Sequence, residues 1–180
     1  MTREELLERY AAGERDFSGA NLSGANLLQI NLSGANLERA NLEQANLNMA
    51  NLEGVNLRAA NLFRAGLSDA NLSRANLNMA RLEGAVLRAS NLEASNLELA
   101  RLNGARLEGA NLSKANLMGA DLSNAELGGA NLSGVNLQRA MMIGTNFSRA
   151  NLSGANLSGS FQKSIVLLRA NLSGAIGVRQ

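Results

Sequence analysis

The residue types that most often carry out chemistry are missing or scattered in this chain of 180 residues. It has no His and no Cys, which excludes the commonest general base, the commonest metal ligand and any thiolate nucleophile. Its aspartates, Asp16, Asp69 and Asp121, are too dispersed to suggest a metal site. Serines are abundant, but no Ser–His relay can form without His. The sequence therefore predicts no catalytic, cofactor-binding or metal-binding residue, and no enzyme.

Charge and hydropathy narrow the possible partners. The 17 Lys and Arg residues face 15 Asp and Glu residues, and aromatic residues make up 3% of the chain. Nucleic-acid surfaces need a strong basic excess and aromatic stacking platforms, so a nucleic acid is not the expected partner. Glu4, Glu5 and Glu8 interrupt any apolar run of a signal peptide, and no segment approaches the roughly 18 apolar residues of a membrane span. We expect a cytoplasmic protein that does not contact membranes.

Residues 1–15 are predicted to form a short α-helix. Thr2 and Glu5 have the spacing of a capping box, and Gly13 can adopt the left-handed conformation that ends a helix. One face of the segment is apolar and carries Leu6, Leu7, Tyr10 and Ala11. We expect this helix to cover the end of the domain that follows, with docking to a partner as the alternative.

The rest of the chain repeats every five residues. Among the 32 positions spaced five apart from 17 to 172, 28 are Leu. Ala fills 24 of the 32 positions spaced five apart from 20 to 175, and Asn fills 21 of the 32 positions spaced five apart from 16 to 171. The repeating unit is therefore Ala-Asn-Leu-x-x. A repeat this regular decides the fold.

The period of five excludes a continuous helix and a flat strand. In an α-helix each Leu would move about 140° around the axis relative to the one before, so the leucines would cover every face. In a flat strand successive leucines would alternate sides, because five is odd. Only a backbone that bends once in each unit keeps every Ala and Leu on one side. Such a chain winds into a solenoid with a dry interior, and the strictly placed Leu argues against disorder.

The units resemble those of the pentapeptide-repeat family. Residues 20–24 (ANLSG) and 110–114 (ANLSK) are examples, and the resemblance covers about nine tenths of the chain. It implies an all-β fold, a right-handed quadrilateral β-helix with four units in each coil. The helix followed by Asp16 and Phe17 is similar to cyanobacterial members of the family.

The resemblance also implies a domain organisation. Residues 1–15 would form the capping helix, residues 16–175 the β-helix and residues 176–180 a C-terminal tail. About eight coils would make a rod about 38 Å long at the usual spacing of paired strands. We expect the Asn residues of adjacent coils to hydrogen-bond to one another, as stacked amides do in ladders.

Charged residues twenty positions apart support four units per coil. Opposite charges occur at this spacing in the pairs Glu38/Arg58, Arg88/Glu108, Arg101/Asp121 and Arg106/Glu126. Like charges occur in the pairs Arg81/Arg101 and Arg149/Arg169. Spacings of fifteen and twenty-five give no such excess of opposite charges.

A second internal repeat relates residues 45–62 to residues 75–92. Their offset of thirty residues equals one and a half coils, so the two copies should lie on opposite sides of the rod. This arrangement suggests that no single face was dedicated to function there.

The C-terminal coils depart from the pattern because several outward positions become apolar. These positions are Met141, Ile143, Phe161, Val166 and Leu168. Gln162 also occupies a Leu position, so it needs a hydrogen-bond partner or a local bulge that turns Phe161 inward. One interpretation is that bulge with a few scattered surface hydrophobes. The other is an association surface that forms a homodimer through the C-terminal coils, since an uncovered β-helix end invites pairing.

The function that these features favour is a non-enzymatic scaffold or protein-interaction module with an unknown partner. The family resemblance implies an alternative, because some members resemble B-form DNA and inhibit DNA gyrase or topoisomerase. Such mimicry requires a surface dense in carboxylates. Here basic residues outnumber acidic ones, and arginines are interleaved with the glutamates between Glu38 and Glu108.

Overall fold

The computed structural model describes residues 1–178. Helix α1 spans Arg3–Ala11, and the two regular strands, β1 and β2, span Met141–Ile143 and Phe161–Lys163. The remainder winds in coils in which each middle residue of a repeat pairs in parallel with the residue twenty positions later, from Asp16↔Asn36 onward. The predicted right-handed quadrilateral β-helix with a short N-terminal helix is confirmed.

Each repeat bends because its backbone hydrogen bonds alternate between the next coil and the repeat itself. In one repeat, the Leu57 amide donates to the Asn76 carbonyl of the next coil at 2.7 Å. The Ala60 amide then donates to the Leu57 carbonyl at 3.0 Å, which closes a turn. Ala59, within that turn, has a φ of 54°. The residue at this position in each turn needs the left-handed conformation, which explains why Gly is common there.

Four flat faces run along the rod. Face 1 begins at Asp16, face 2 at Asn21, face 3 at Asn26 and face 4 at Asn31, and each continues at intervals of twenty residues. The two variable residues of each repeat form the corner between one face and the next. Because the chain passes the faces in this order, face 2 lies opposite face 4.

Helix α1 covers the N-terminal end of the rod. The Thr2 hydroxyl accepts a hydrogen bond from the Glu5 amide at 3.1 Å, as the capping box predicts. Leu6 is fully buried against the first coil, and the Tyr10 hydroxyl donates to the Ser33 carbonyl at 2.9 Å. The buried Leu6 side chain and this directed hydrogen bond both hold the helix to the rod, and Met1 and Leu7 also pack against the core.

The interior is a column of Leu and Ala side chains that helix α1 covers at the N-terminal end. Leucines from the second to the seventh coil are fully buried, as is Leu157 at the start of the last coil, whereas the inward apolar residues that follow it are only partly buried. These residues are Ile165, Leu167, Ala170, Leu172 and Ala175. Within residues 1–178, the N-terminal end is therefore covered and the interior of the last coil is partly exposed.

Of the two alternatives left open for Gln162, a hydrogen-bond partner or a local bulge, the structure has the hydrogen-bond partner. β1 and β2 pair in register, with Met141 opposite Phe161, and the Phe161 side chain is exposed rather than turned inward. The side-chain amide of Gln162 forms hydrogen bonds: its Nε2 donates to the Ser160 hydroxyl and to the Gly177 carbonyl, each at 2.8 Å. A hydrogen-bonded glutamine therefore takes the place of a Leu without a change of register.

The β-helical pairing extends slightly beyond the expected domain boundary. Ile176, the first residue of the expected tail, pairs with Asn156 in the same way as the earlier residues. Of that tail, Arg179 and Gln180 lie outside the described residues.

Candidate interaction surface

Face 4 carries an unbroken ladder of asparagine side chains from Asn31 to Asn171. In each step the Nδ2 of one Asn donates to the Oδ1 of the Asn in the preceding coil, over distances of 3.0–3.4 Å. Each Oδ1 also accepts the amide two residues later, as in the bond from the Glu93 amide to Asn91 at 3.1 Å. The expected Asn ladder is confirmed, and it serves both the local turn and the contact between coils.

The departures from Asn are concentrated on faces 2 and 3. Of the 11 middle positions between 16 and 171 that are not Asn, only Asp16 lies elsewhere. Face 2 carries Arg81, Arg101, Asp121, Met141 and Phe161, and face 3 carries Gly66, Val86, Arg106, Glu126 and Val166. These two neighbouring faces hold most of the chemical variety among the middle positions.

The structure distributes the five predicted surface residues over neighbouring parts of the last two coils. Met141 and Phe161 are paired on face 2, and both are about half-exposed. Ile143 lies on the corner between faces 2 and 3, Val166 on face 3 and Leu168 on the next corner. Leu168 is the most exposed of the large apolar residues, at 66%. The apolar surface therefore surrounds part of the open end rather than forming one flat patch.

Sequence reasoning missed a second group, which surrounds a buried carboxylate. The Oε1 of Glu83 lies 3.5 Å from Arg81 Nε and 3.0 Å from Arg101 Nε. The side chain of Glu83 is only 8% exposed, and its Oε2 has no hydrogen-bond partner among the described residues. Met79 and Leu99 lie exposed on the adjoining corner. The available signal was the loss of Asn at two positions twenty residues apart.

The ion pairs expected at a spacing of twenty form in two cases out of four. Arg58 Nη1 lies 2.9 Å from Glu38 Oε1, and Arg88 Nη2 lies 2.7 Å from Glu108 Oε1.

The other two expected pairs are replaced by different contacts. Arg101 pairs with Glu83 rather than with Asp121. Arg106 lies 3.8 Å from Glu108, and Glu126 instead accepts a hydrogen bond from Asn146 Nδ2 at 2.8 Å. Register brings the residues of a pair to neighbouring positions, but the side-chain conformation selects the contact.

Two further findings concern the chemistry open to this surface. No group of three or more acidic residues within residues 1–178 is arranged to hold a metal ion. No helix in the same part of the chain has the length and hydropathy needed to cross a membrane.

The coils, the dry leucine interior and the asparagine ladders define a right-handed quadrilateral β-helix built from pentapeptides. A model of the pentapeptide-repeat family matches the chain with eight copies, over residues 16–54, 35–65, 65–104, 100–139 and 130–161. The chain belongs to the pentapeptide-repeat family. No curated protein matches the chain.

Solved structures of other pentapeptide-repeat proteins are similar to this chain. HetL, involved in heterocyst differentiation regulation in the cyanobacterium Nostoc, is 34% identical over 98% of this chain and 97% of its own, with a TM-score of 0.42. The Nostoc protein alr5209 is 40% identical over 64% of this chain and 80% of its own, with a TM-score of 0.31. QnrB1, a plasmid-mediated fluoroquinolone resistance protein, is 19% identical over 90% and 89%, with a TM-score of 0.50. The likeness to QnrB1 concerns the fold alone.

Proposed function

We propose that this protein is a non-enzymatic interaction module, a rigid rod that presents faces 2 and 3 to a protein partner. The observation that supports the proposal is the contrast between face 4, with its unbroken ladder, and faces 2 and 3. Where Arg, Met, Phe or Val replaces Asn there, the repeat gives up a turn-capping hydrogen bond and a link to the next coil, each worth about 0.5–1.5 kcal/mol. Asp121 still accepts the Ser123 amide, and Glu126 still accepts from Asn146 of the next coil. Arg, Met, Phe and Val at these positions do not replace those bonds. Their exposed side chains are available for recognition.

We further propose that two copies associate through their C-terminal coils. The half-buried Leu167 and Leu172 of the last coil, together with exposed Phe161 and Leu168, leave apolar surface in water. Burying such surface releases about 25 cal/mol per Å². The backbone of the last coil has no further coil to pair with among the described residues, and a second copy related by a twofold axis would offer the same surface.

Sedimentation velocity at micromolar concentration tests this association. The wild type is expected to sediment as a dimer, and F161S/L168S as a folded monomer. The matched control is L28S/M49S, which replaces two exposed apolar residues on the corner between faces 3 and 4 of the first two coils. This control should remain dimeric. A monomeric wild type, or dimeric F161S/L168S, would contradict the proposed dimer.

Inhibition of gyrase by DNA mimicry has weaker support. Carboxylates that would imitate phosphates are neutralised by arginines, as in the pairs Glu38–Arg58, Glu53–Arg74 and Glu108–Arg88. We expect no inhibition in a DNA supercoiling assay with low micromolar protein. Full inhibition would favour DNA mimicry over the proposed interaction module.

A further inference from the structure

We propose that Arg81, Arg101 and Glu83, with Met79 and Leu99, form a docking site for an acidic and apolar segment of a partner protein. We call these five residues the arginine patch. The inference rests on the proposed role as an interaction module and identifies the chemistry of the partner. The patch lies in the middle coils, away from the C-terminal coils of the proposed dimer.

The two arginines are held side by side against their mutual repulsion. Arg81 and Arg101 are paired directly in consecutive coils, at a spacing of about 4.8 Å. Both approach the single Oε1 of Glu83 through Nε. Neither Nη1 nor Nη2 of either arginine has a hydrogen-bond partner among residues 1–178. Because both side chains are about half-exposed, these free edges can each receive a carboxylate of the partner.

The internal repeat provides a comparison within the same chain. Asn51 and Glu53 in the first copy correspond to Arg81 and Glu83 in the second, and both acids follow a Leu. The side chain of Glu53 is 43% exposed and pairs with Arg74, whereas that of Glu83 is 8% exposed. The change from Asn to Arg thus accompanies the enclosure of the carboxylate. Glu83 is a positioning residue that holds the two guanidinium groups.

The stability of the rod does not account for this arrangement. With Arg in place of Asn, the amides of Glu83 and Asn103 lack the side-chain acceptor that Asn91 provides for Glu93. The buried Glu83 also keeps one oxygen without a partner, which opposes folding. Asn at both positions would extend the ladder of face 2 from Asn61 to position 101. A binding role explains why the patch departs from the repeat.

The surroundings of the arginines favour a protein segment over a nucleic acid. Met79 and Leu99 are exposed on the corner that leads into face 2, two residues before each arginine. An apolar side chain of the partner can cover them while its carboxylates meet the guanidinium groups. Phosphate recognition would need more free cations and aromatic stacking platforms. Asp121, the next residue in register after Arg101, repels acidic groups and limits the site at that end.

A displayed library of random peptides provides the probe. Peptides are selected on the wild-type protein, and the dissociation constants of the enriched peptides are measured by fluorescence anisotropy. We expect the enriched peptides to combine Asp or Glu with Leu, Met or Phe. We also expect their affinity to fall as the salt concentration rises, because the exposed charges are screened.

The decisive variant is R81N/E83S/R101N, which converts the patch to the repeat's own consensus. It should fold at least as stably as the wild type and bind the selected peptides at least about tenfold more weakly. M79S/L99S, which leaves the charges in place, should also weaken binding. The matched control R74Q/K114Q removes two positive charges on the corner between faces 4 and 1, and should bind as the wild type does. Unchanged binding by R81N/E83S/R101N, or enrichment without acidic residues, would overturn the inference.

Two further measurements distinguish failure of the arginine patch from failure of the proposed interaction module. A 20-base-pair DNA duplex should not bind, and duplex binding that is lost in R81N/E83S/R101N would assign the patch to nucleic acid instead. Peptides that bind equally to every patch variant would refute the patch while leaving the interaction module intact. Failure to enrich any peptide would contradict both proposals.

Discussion

Arg88 Nη2 lies 2.7 Å from Glu108 Oε1, and the two residues occupy the same corner of consecutive coils. The hydrogen bond from Arg88 stabilises the charged carboxylate and lowers the pKa of Glu108 below its ordinary value of 4.5, although partial burial opposes the shift. The same bond raises the pKa of Arg88. The contact thus links the corner between faces 3 and 4 across two coils.

Acidification should destabilise the protein in part through this contact. Because the pKa of Glu108 is lower in the folded protein, the unfolded chain takes up the proton at a higher pH. The contribution is present above pH 4.5 and is lost as the pH falls through the lower folded pKa. E108Q and R88Q should each reduce the acid-induced loss of unfolding free energy, measured by urea denaturation between about pH 6 and pH 3.

A double-mutant cycle provides the control for the acid effect. E108Q/R88Q should behave as E108Q does, because neither variant keeps the carboxylate, whereas R88Q leaves Glu108 3.8 Å from Arg106 and should keep a smaller part of the acid effect. An NMR titration in which Glu108 has its ordinary pKa would contradict the prediction.

Removal of one side chain from the middle of the Asn ladder should destabilise the rod. Asn91 Nδ2 donates to Asn71 at 3.3 Å, and its Oδ1 accepts from the Glu93 amide at 3.1 Å and from Asn111 Nδ2 at 3.2 Å. N91A should lower the free energy of unfolding by about 1–3 kcal/mol in urea denaturation, because it leaves several polar groups without partners. N171A, at the exposed end of the ladder, should lower it by less, since terminal coils open more easily. Equal losses would contradict this account.

A glycine at a left-handed corner should stabilise the rod. Ala94 has a φ of 54°, a conformation that is unfavourable for Ala and free of strain for Gly. A94G should therefore raise the free energy of unfolding by about 0.5–1 kcal/mol despite the greater flexibility of the unfolded chain. A110G is the control at a fully buried inward position, where removal of the methyl group should destabilise the protein. Thermal unfolding of the two variants should shift in opposite directions.

Sequence reasoning succeeded for the features that every repeat shares. The placement of Leu and Ala required a bend in each unit and an inward column of apolar side chains. Thr2 and Glu5 likewise predicted the start of α1, because a capping box depends only on local spacing. The number of units in each coil came mainly from the family resemblance, with support from the charges twenty residues apart.

It failed where a side chain has several neighbours at similar distances. Arg101 follows the register to Asp121 but contacts Glu83. For Gln162 the sequence left a hydrogen-bond partner and a bulge open, and the structure has the hydrogen bonds, to Ser160 and Gly177. A flexible side chain reaches partners in its own coil and in either neighbouring coil. Spacing in the sequence does not rank those choices, whereas packing and burial do.

The sequence by itself determined a solenoid with a dry interior, because the five-residue period and the apolar inward positions admit no other regular backbone path. Only the tertiary structure showed that the residues departing from Asn collect on faces 2 and 3. It alone showed that Glu83 is enclosed between two arginines, and that the last coil leaves its interior half-covered. These features depend on which residues become neighbours when the chain winds with twenty residues in each coil. The sequence of a single repeat does not determine which side chains of adjacent coils make contact.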